Sequence, residues 1–119
     1  MTNREGERCF LVNTAKISDA TAWFEVLQTC EKSQTAVMTL KPGGASGPSP
    51  DAHEKSEQVL LVLEGEVEAE VAGEKRRLKQ GDIVVIPAGT KHRFQNRSDG
   101  DAVTFNVYSP PEYPPATKG

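Results

Sequence analysis

Apolar and polar residues alternate along most of the chain with a period of two, not the 3.6 of a helix. In the segment 66–71, EVEAEV, every second residue is apolar and the residues between them are glutamates. One apolar face and one charged face are typical of an antiparallel strand that is buried on one side only. The acidic stripe of this segment is therefore predicted to be a solvated face.

The segment 59–63, VLLVL, breaks this alternation because its residues are apolar at both odd and even positions. Val59, Leu61 and Leu63 are predicted to face one side of a sheet, and Leu60 and Val62 the other. If one face lines the core, the opposite face needs a cover of its own. A second copy of the chain is the natural cover, so we predict a homodimer with twofold symmetry.

Turn sequences rich in glycine punctuate the chain at short intervals, among them LKPGG, AGEK, KQGD and PAGT. Short strands between evenly spaced turns predict an all-β sandwich or barrel. A helical turn is expected only within Ile17–Trp23, capped by Ser18 or Asp19. The predicted strands are Phe10–Val12, Phe24–Thr29, Thr35–Leu40, Gln58–Leu63, Glu66–Val71, Lys75–Leu78, Ile83–Ile86, Arg93–Asn96 and Val103–Tyr108.

Composition narrows the functional classes. The 119 residues fit one domain, 36% of them are hydrophobic and 26% charged, and the net charge is −3. Scattered basic residues on an acidic chain argue against nucleic acid or an anionic membrane as the partner. The polar N-terminal residues and the lack of a long apolar run predict a cytoplasmic protein. Cys9 and Cys30 are then expected to be free thiols, with a disulfide or a reactive thiol left open.

A motif near the C-terminal third carries the clearest chemical signal. Gly81, Pro87, Gly89, His92 and Asn96 match every fixed position of the pattern Gly-x5-Pro-x-Gly-x2-His-x3-Asn. In this motif the chain resembles the cupin superfamily. The resemblance implies a double-stranded β-helix, the jelly-roll barrel, spanning residues 35–108. Residues 1–34 would then pack on the barrel, and the proline-rich residues 109–119 would form an arm over the barrel or over a partner, all within a single domain.

The segment 47–66 resembles the other cupin motif less fully. Its opening Gly-x5-His is met by Gly47 and His53 and its closing glycine by Gly65, one residue closer than is usual. Lys55 stands where a second histidine is expected, and Gln58 stands where a glutamate is expected. The segment is similar to a small single-domain subgroup with the signature His-x-His-x-Asp-Gln and an ending Tyr-x-Pro-Pro-Glu, which residues 108–112 match.

The resemblance implies a divalent metal ion, Zn, Ni, Mn or Fe, held by His53, Gln58 and His92, with a small polar molecule bound in the barrel. Imidazole nitrogens suit these metals, whereas an amide oxygen is a weak neutral ligand. A protonated Lys55 beside the site would repel a cation. Lys55 and Tyr108 are the candidate catalytic side chains, and Lys55 is alternatively an ordinary surface lysine.

Three hypotheses for the pocket therefore stay open. The first is a metal-dependent enzyme of dioxygenase or isomerase type. The second is a metal-free module that binds a small anion or sugar through Lys55 and the histidines without catalysis. The third is a vestigial pocket in which His53 and His92 are satisfied core residues, and assembly is the main role of the chain. The cupin fold hosts many activities, so fold alone does not choose among them.

Overall fold

The computed structural model describes residues 12–116, which form eight strands and one short 3₁₀ turn. The strands are β1 (Phe24–Thr29), β2 (Gln34–Leu40), β3 (Glu57–Glu64), β4 (Glu66–Val71), β5 (Glu74–Lys79), β6 (Ile83–Ile86), β7 (His92–Gln95) and β8 (Ala102–Ser109).

These strands build two antiparallel sheets that pack face to face. The larger sheet has the order β1-β2-β8-β3-β6 and the smaller has the order β5-β4-β7. The predicted all-β, double-stranded β-helix barrel is thus confirmed. Within residues 12–116, no helix is of the length and hydrophobicity that crossing a membrane requires.

Alternation places the core between the sheets as the sequence pattern predicts. Val67 and Ala69 of β4 are buried, while the glutamates between them are partly exposed opposite the basic residues of β5. In β3, Leu60 and Val62 are fully buried. The expectation that β3 is buried on both faces is met on one face only, since the residues of its outer face are partly exposed in the single chain.

The inner face of the larger sheet changes from apolar to polar along the strands. At one end, Leu40 of β2 lies opposite Ala102 of β8. Towards the other end, the buried inward residues become Thr104, Asn106 and Tyr108. Buried polar side chains cost free energy unless they are paired, so this cluster makes the polar end of the barrel the candidate place for a functional site.

Most strand predictions agree with the structure within one or two residues, but three details differ. The helical turn is a 3₁₀ turn at Ile17–Asp19 whose N-cap is Lys16, so the predicted cap by Ser18 or Asp19 is wrong. The predicted strand Phe10–Val12 lies outside the described residues except for Val12, which is not in a strand. Cys30 is disulfide-bonded, so the expectation of a free thiol there is wrong, and Cys9 lies outside the described residues.

The C-terminal arm, residues 110–116, follows a cis Ser109–Pro110 peptide bond and contains no strand. It contacts the barrel of its own chain through side-chain hydrogen bonds. The Ser56 hydroxyl donates to the Pro110 carbonyl at 2.7 Å, and the Gln34 side chain bonds the backbone of Glu112 and Tyr113. The arm therefore packs across the polar end of the barrel.

Candidate functional site

A cavity of about 590 Å³ opens at the polar end of the barrel. Its walls combine aromatic side chains, polar side chains and the loop residues 46–50. The aromatic residues are Trp23, Phe24, Phe94, Tyr108 and Tyr113, and the titratable or amide residues are Asp51, His53, Gln58 and His92.

The two histidines of the chain lie side by side in this cavity, with ring centroids 5.0 Å apart. Backbone hydrogen bonds bring them there. The backbones of Asp51 and His92 bond each other reciprocally at 3.0 and 2.8 Å, and the Gly89 N–H donates to the His53 carbonyl at 2.8 Å. Gly89 has φ +78°, a conformation that favours glycine. Through this hydrogen bond, Gly89 holds the loop that carries His53 against the turn that precedes His92.

Both imidazole rings use Nδ1 for a protein contact. His92 Nδ1 lies 2.9 Å from the Thr90 carbonyl oxygen, and His53 Nδ1 lies 3.2 Å from Oε2 of Glu112. Carbonyl and carboxylate oxygens only accept, so a neutral ring carries its proton on Nδ1 in each case. Each Nε2 therefore keeps a lone pair that is available to a ligand.

The protonation of His92 follows from its burial. Desolvation lowers the pKa of His92 and is the largest effect, and the nearby His53 lowers it further. The bond to Thr90 and the charge of Asp51 oppose this shift. The ring therefore stays neutral at neutral pH, which is the state that a metal or a hydrogen-bond donor requires.

Gln58 contributes an oxygen without a partner. Its side chain is buried, and Nε2 donates to Oδ1 of Asn106 at 2.9 Å. Within the described part of the chain, Oε1 of Gln58 is a buried atom with no hydrogen-bond partner. An unsatisfied buried acceptor is costly, so this oxygen, on a residue that lines the same cavity as the two histidines, is a candidate partner for a cation or a donor group.

The structure brings His53, Gln58 and His92 together on one cavity but leaves Lys55 outside it. Lys55 is exposed and is not among the residues that line the cavity. Its side chain is therefore not part of the cavity wall that contains the two histidines. Between residues 12 and 116, no group of three or more His, Cys, Asp or Glu side chains has an arrangement that suits a metal ion. The candidate donor set is therefore two imidazoles and one amide.

Tyr108, the other candidate catalytic residue, lies in the cavity wall. Its ring packs edge-on against His53, at 5.3 Å between centroids. Burial raises the pKa of Tyr108, whose ring also packs edge-on against that of Tyr113, at 5.1 Å between centroids. Tyr108 is thus a neutral phenol, suited to shaping the cavity rather than to accepting a proton.

Sequence reasoning did not identify Glu112 and Tyr113 as neighbours of His53. Both lie in the proline-rich segment that was predicted only to be an arm. The one available signal was the match of residues 108–112 to the subgroup ending, which does not say what the glutamate contacts. Its contact with His53 depends on how the arm packs on the barrel.

Comparison with known proteins agrees with this architecture. The family model for the cupin domain matches residues 36–108. A protein of Bacillus halodurans has a similar structure, with a TM-score of 0.78 and 24% identity, over 84% of this chain and 79% of that one. KdgF from a Halomonas species has a TM-score of 0.68 and 27% identity, over 74% of this chain and 77% of that one.

Among curated relatives, an uncharacterized protein of Acanthamoeba polyphaga mimivirus is 32% identical over 95 residues, which is 76% of this chain and 58% of that protein. The chain spans between 50% and 66% of the length of the curated relatives it matches. The comparisons therefore describe the fold and the family of this chain, and not the activity of those longer proteins.

Proposed function

Because the chain belongs to the cupin family, we propose that it binds one divalent metal ion through His53, Gln58 and His92 and a small polar molecule beside it. The observation that carries the proposal is the buried Oε1 of Gln58, which lacks a hydrogen-bond partner among the described residues. A metal ion at this oxygen would satisfy it, and the two imidazoles on the same cavity supply the nitrogen ligands that Zn, Ni, Mn and Fe accept.

The donor set fits an open metal site. Two nitrogens and one oxygen leave coordination positions for water or for a bound molecule, as catalytic sites require. When bound, the metal would supply Lewis acidity to an oxygen or nitrogen atom of the substrate. We propose that any activity is of the metal-dependent dioxygenase or isomerase type.

The chain's own residues would bind and orient the small molecule. Phe24 and Tyr113 pack with their rings tilted to each other, at 4.8 Å between centroids, and form one aromatic wall. Phe94 packs on His92 at 5.9 Å and forms another. Such walls exclude water from one side of the cavity and hold the apolar part of a ligand, while its polar part faces the histidines. The neutral phenol of Tyr108 packs edge-on against His53 and is not proposed to transfer a proton.

The metal-free alternative, an anion site with Lys55 as counter-charge, gains no support from the exposed position of Lys55. Homodimer formation remains part of our proposal and rests on the outer face of the larger sheet. Ile83, Leu61 and Phe105 form one apolar row across this face, and Val85, Val59 and Val107 form a second. Ile83 and Val85 are 61% and 57% exposed, which a second copy would cover. Cytoplasmic location stays a prediction from the sequence.

Calorimetric titration of chelator-treated protein with Zn, Ni, Mn and Fe(II) tests the metal site. We expect binding near one metal per chain for the wild type and for Lys55→Ala, the matched control from the same loop. His53→Ala and His92→Ala are expected to lose most of the affinity. Failure of the wild type to bind any of the four metals, or equal binding by the histidine variants, would overturn the proposal.

A further inference from the structure

We infer that Glu112 is a positioning residue that fixes the tautomer of His53, which makes the C-terminal arm a working part of the site. The role of Glu112 in metal affinity rests on the proposed function, whereas its effect on the ring does not. The inference begins from a difference between the two histidines. Nδ1 of His92 donates a hydrogen bond to the backbone carbonyl of Thr90, two residues away. Nδ1 of His53 instead contacts the side chain of Glu112, 59 residues further along the chain.

Glu112 is held at the barrel by a buried anchor. Oε1 of Gln34 accepts from the backbone N–H groups of Glu112 and Tyr113 at 3.1 and 2.9 Å, and its Nε2 donates to the Tyr113 carbonyl at 2.8 Å. Gln34 is only 1% exposed, so water competes little for these bonds. These hydrogen bonds fix the position of the Glu112 backbone, which keeps the Glu112 side chain within reach of His53.

The contact itself is partly shielded from water. The side chains of His53 and Glu112 are 18% and 27% exposed, and Nδ1 lies 3.2 Å from Oε2. A carboxylate oxygen only accepts a hydrogen bond, so the bond requires the proton on Nδ1. This arrangement leaves the Nε2 lone pair of His53 available on the cavity side. A carboxylate behind a ligating imidazole also raises the basicity of the imidazole as a ligand.

Without Glu112, nothing in the described contacts of His53 favours the Nδ1 proton. A neutral imidazole in water prefers its proton on Nε2, and that tautomer has no lone pair on Nε2. The ring would then have to exchange its proton before it could bind a metal or accept a hydrogen bond there.

The test uses the fact that the chain has only two histidines. Long-range ¹H–¹⁵N spectra of the imidazole rings report the tautomer of each, and His92→Asn assigns the signals. The spectra are recorded on chelator-treated protein at about pH 9, well above the ordinary histidine pKa of about 6.5. The variant is Glu112→Ala, and the matched control is Glu54→Ala, an exposed carboxylate beside His53 in sequence.

We expect His53 to carry its proton on Nδ1 in the wild type and in Glu54→Ala, and to shift towards the Nε2 proton in Glu112→Ala. His92 should stay unchanged throughout. An unchanged His53 tautomer in Glu112→Ala would overturn the inference. The backbone amides of residues 112 and 113 report whether the arm stays docked. If the tautomer changes only when the hydrogen bonds of these two amides are also lost, the effect belongs to the whole arm, and the inference is overturned as well.

Metal affinity separates this inference from the proposed function. If the metal site exists, Glu112→Ala should weaken it by about 10- to 100-fold, the usual effect of losing the partner of a ligating histidine. Equal affinity in both proteins would contradict a role for Glu112 at the metal. If the wild type binds no metal, the proposed function fails, and the tautomer spectra still decide the role of Glu112.

Discussion

Gln58 donates its amide N–H to Oδ1 of Asn106 at 2.9 Å, and this bond fixes which end of the Gln58 amide faces the cavity. Asn106 in turn donates through Nδ2 to Oγ1 of Thr104 at 3.0 Å, and Thr104 donates to the Met38 carbonyl at 3.0 Å. A backbone carbonyl only accepts, so the direction of the whole series is set at Met38. Gln58 must donate to Asn106, and its oxygen is left for a ligand.

Gln58→Glu tests this relationship. In the metal-free variant, a carboxylate faces the Asn106 oxygen without a donor between them, so we expect the free energy of unfolding to fall by about 1–3 kcal/mol. A divalent metal should restore that loss and bind more tightly than in the wild type, because a carboxylate is a charged ligand. Denaturant unfolding with and without metal measures both effects. Gln80→Glu, at an exposed position, is the control and should change neither.

The lowered pKa of His92 predicts a pH dependence of stability in chelator-treated protein. Because burial lowers the pKa of the folded state, the unfolded chain binds the proton more readily. The contribution of neutral His92 to the free energy of unfolding is complete above about pH 6.5. It is lost as the pH falls through the lowered pKa of the folded state. We expect the free energy of unfolding to fall more steeply between about pH 7 and about pH 5 in the wild type than in His92→Asn. Parallel curves would contradict the shift.

Gln34→Leu should release the C-terminal arm. The substitution removes the partners of the Glu112 and Tyr113 backbones and leaves Thr29 without the Gln34 donor. We expect a loss of about 1–3 kcal/mol in the free energy of unfolding. Faster amide hydrogen exchange at residues 112 and 113 should accompany it. Exchange as slow as in the wild type would show that other contacts hold the arm.

A charge on the outer face of the larger sheet should separate the proposed dimer. We expect the wild type to sediment as a dimer at micromolar concentration and Val85→Glu to sediment as a monomer, because the carboxylate would be buried unpaired in the interface. Gln80→Glu adds the same charge away from the two apolar rows and should remain a dimer. A monomeric wild type would contradict the proposal.

Strand pattern and motif spacing predicted much of this molecule. The bounds of the strands Phe24–Thr29, Glu66–Val71 and Ile83–Ile86 agree with the structure. Of these three, Glu66–Val71 alternates strictly with period two, which leaves it little freedom of register. His92 begins its strand and faces inward, as its place after the Pro-x-Gly turn predicts.

Contacts between distant segments were not predictable in the same way. The exposure of Lys55 depends on how its loop leaves the barrel, and the free oxygen of Gln58 depends on Asn106, 48 residues away. The pairing of Glu112 with His53 requires the arm to return over the cavity. A local pattern records which face a residue occupies, but it does not record which distant side chain it meets.

Crystals of the wild type loaded with Zn or Mn and measured at the absorption edge of the metal test the central claim most directly. We predict one anomalous peak per chain in the cavity, at bonding distance from Nε2 of His53, Nε2 of His92 and Oε1 of Gln58. A cavity without a peak at saturating metal, or a peak held by other residues, would contradict the account.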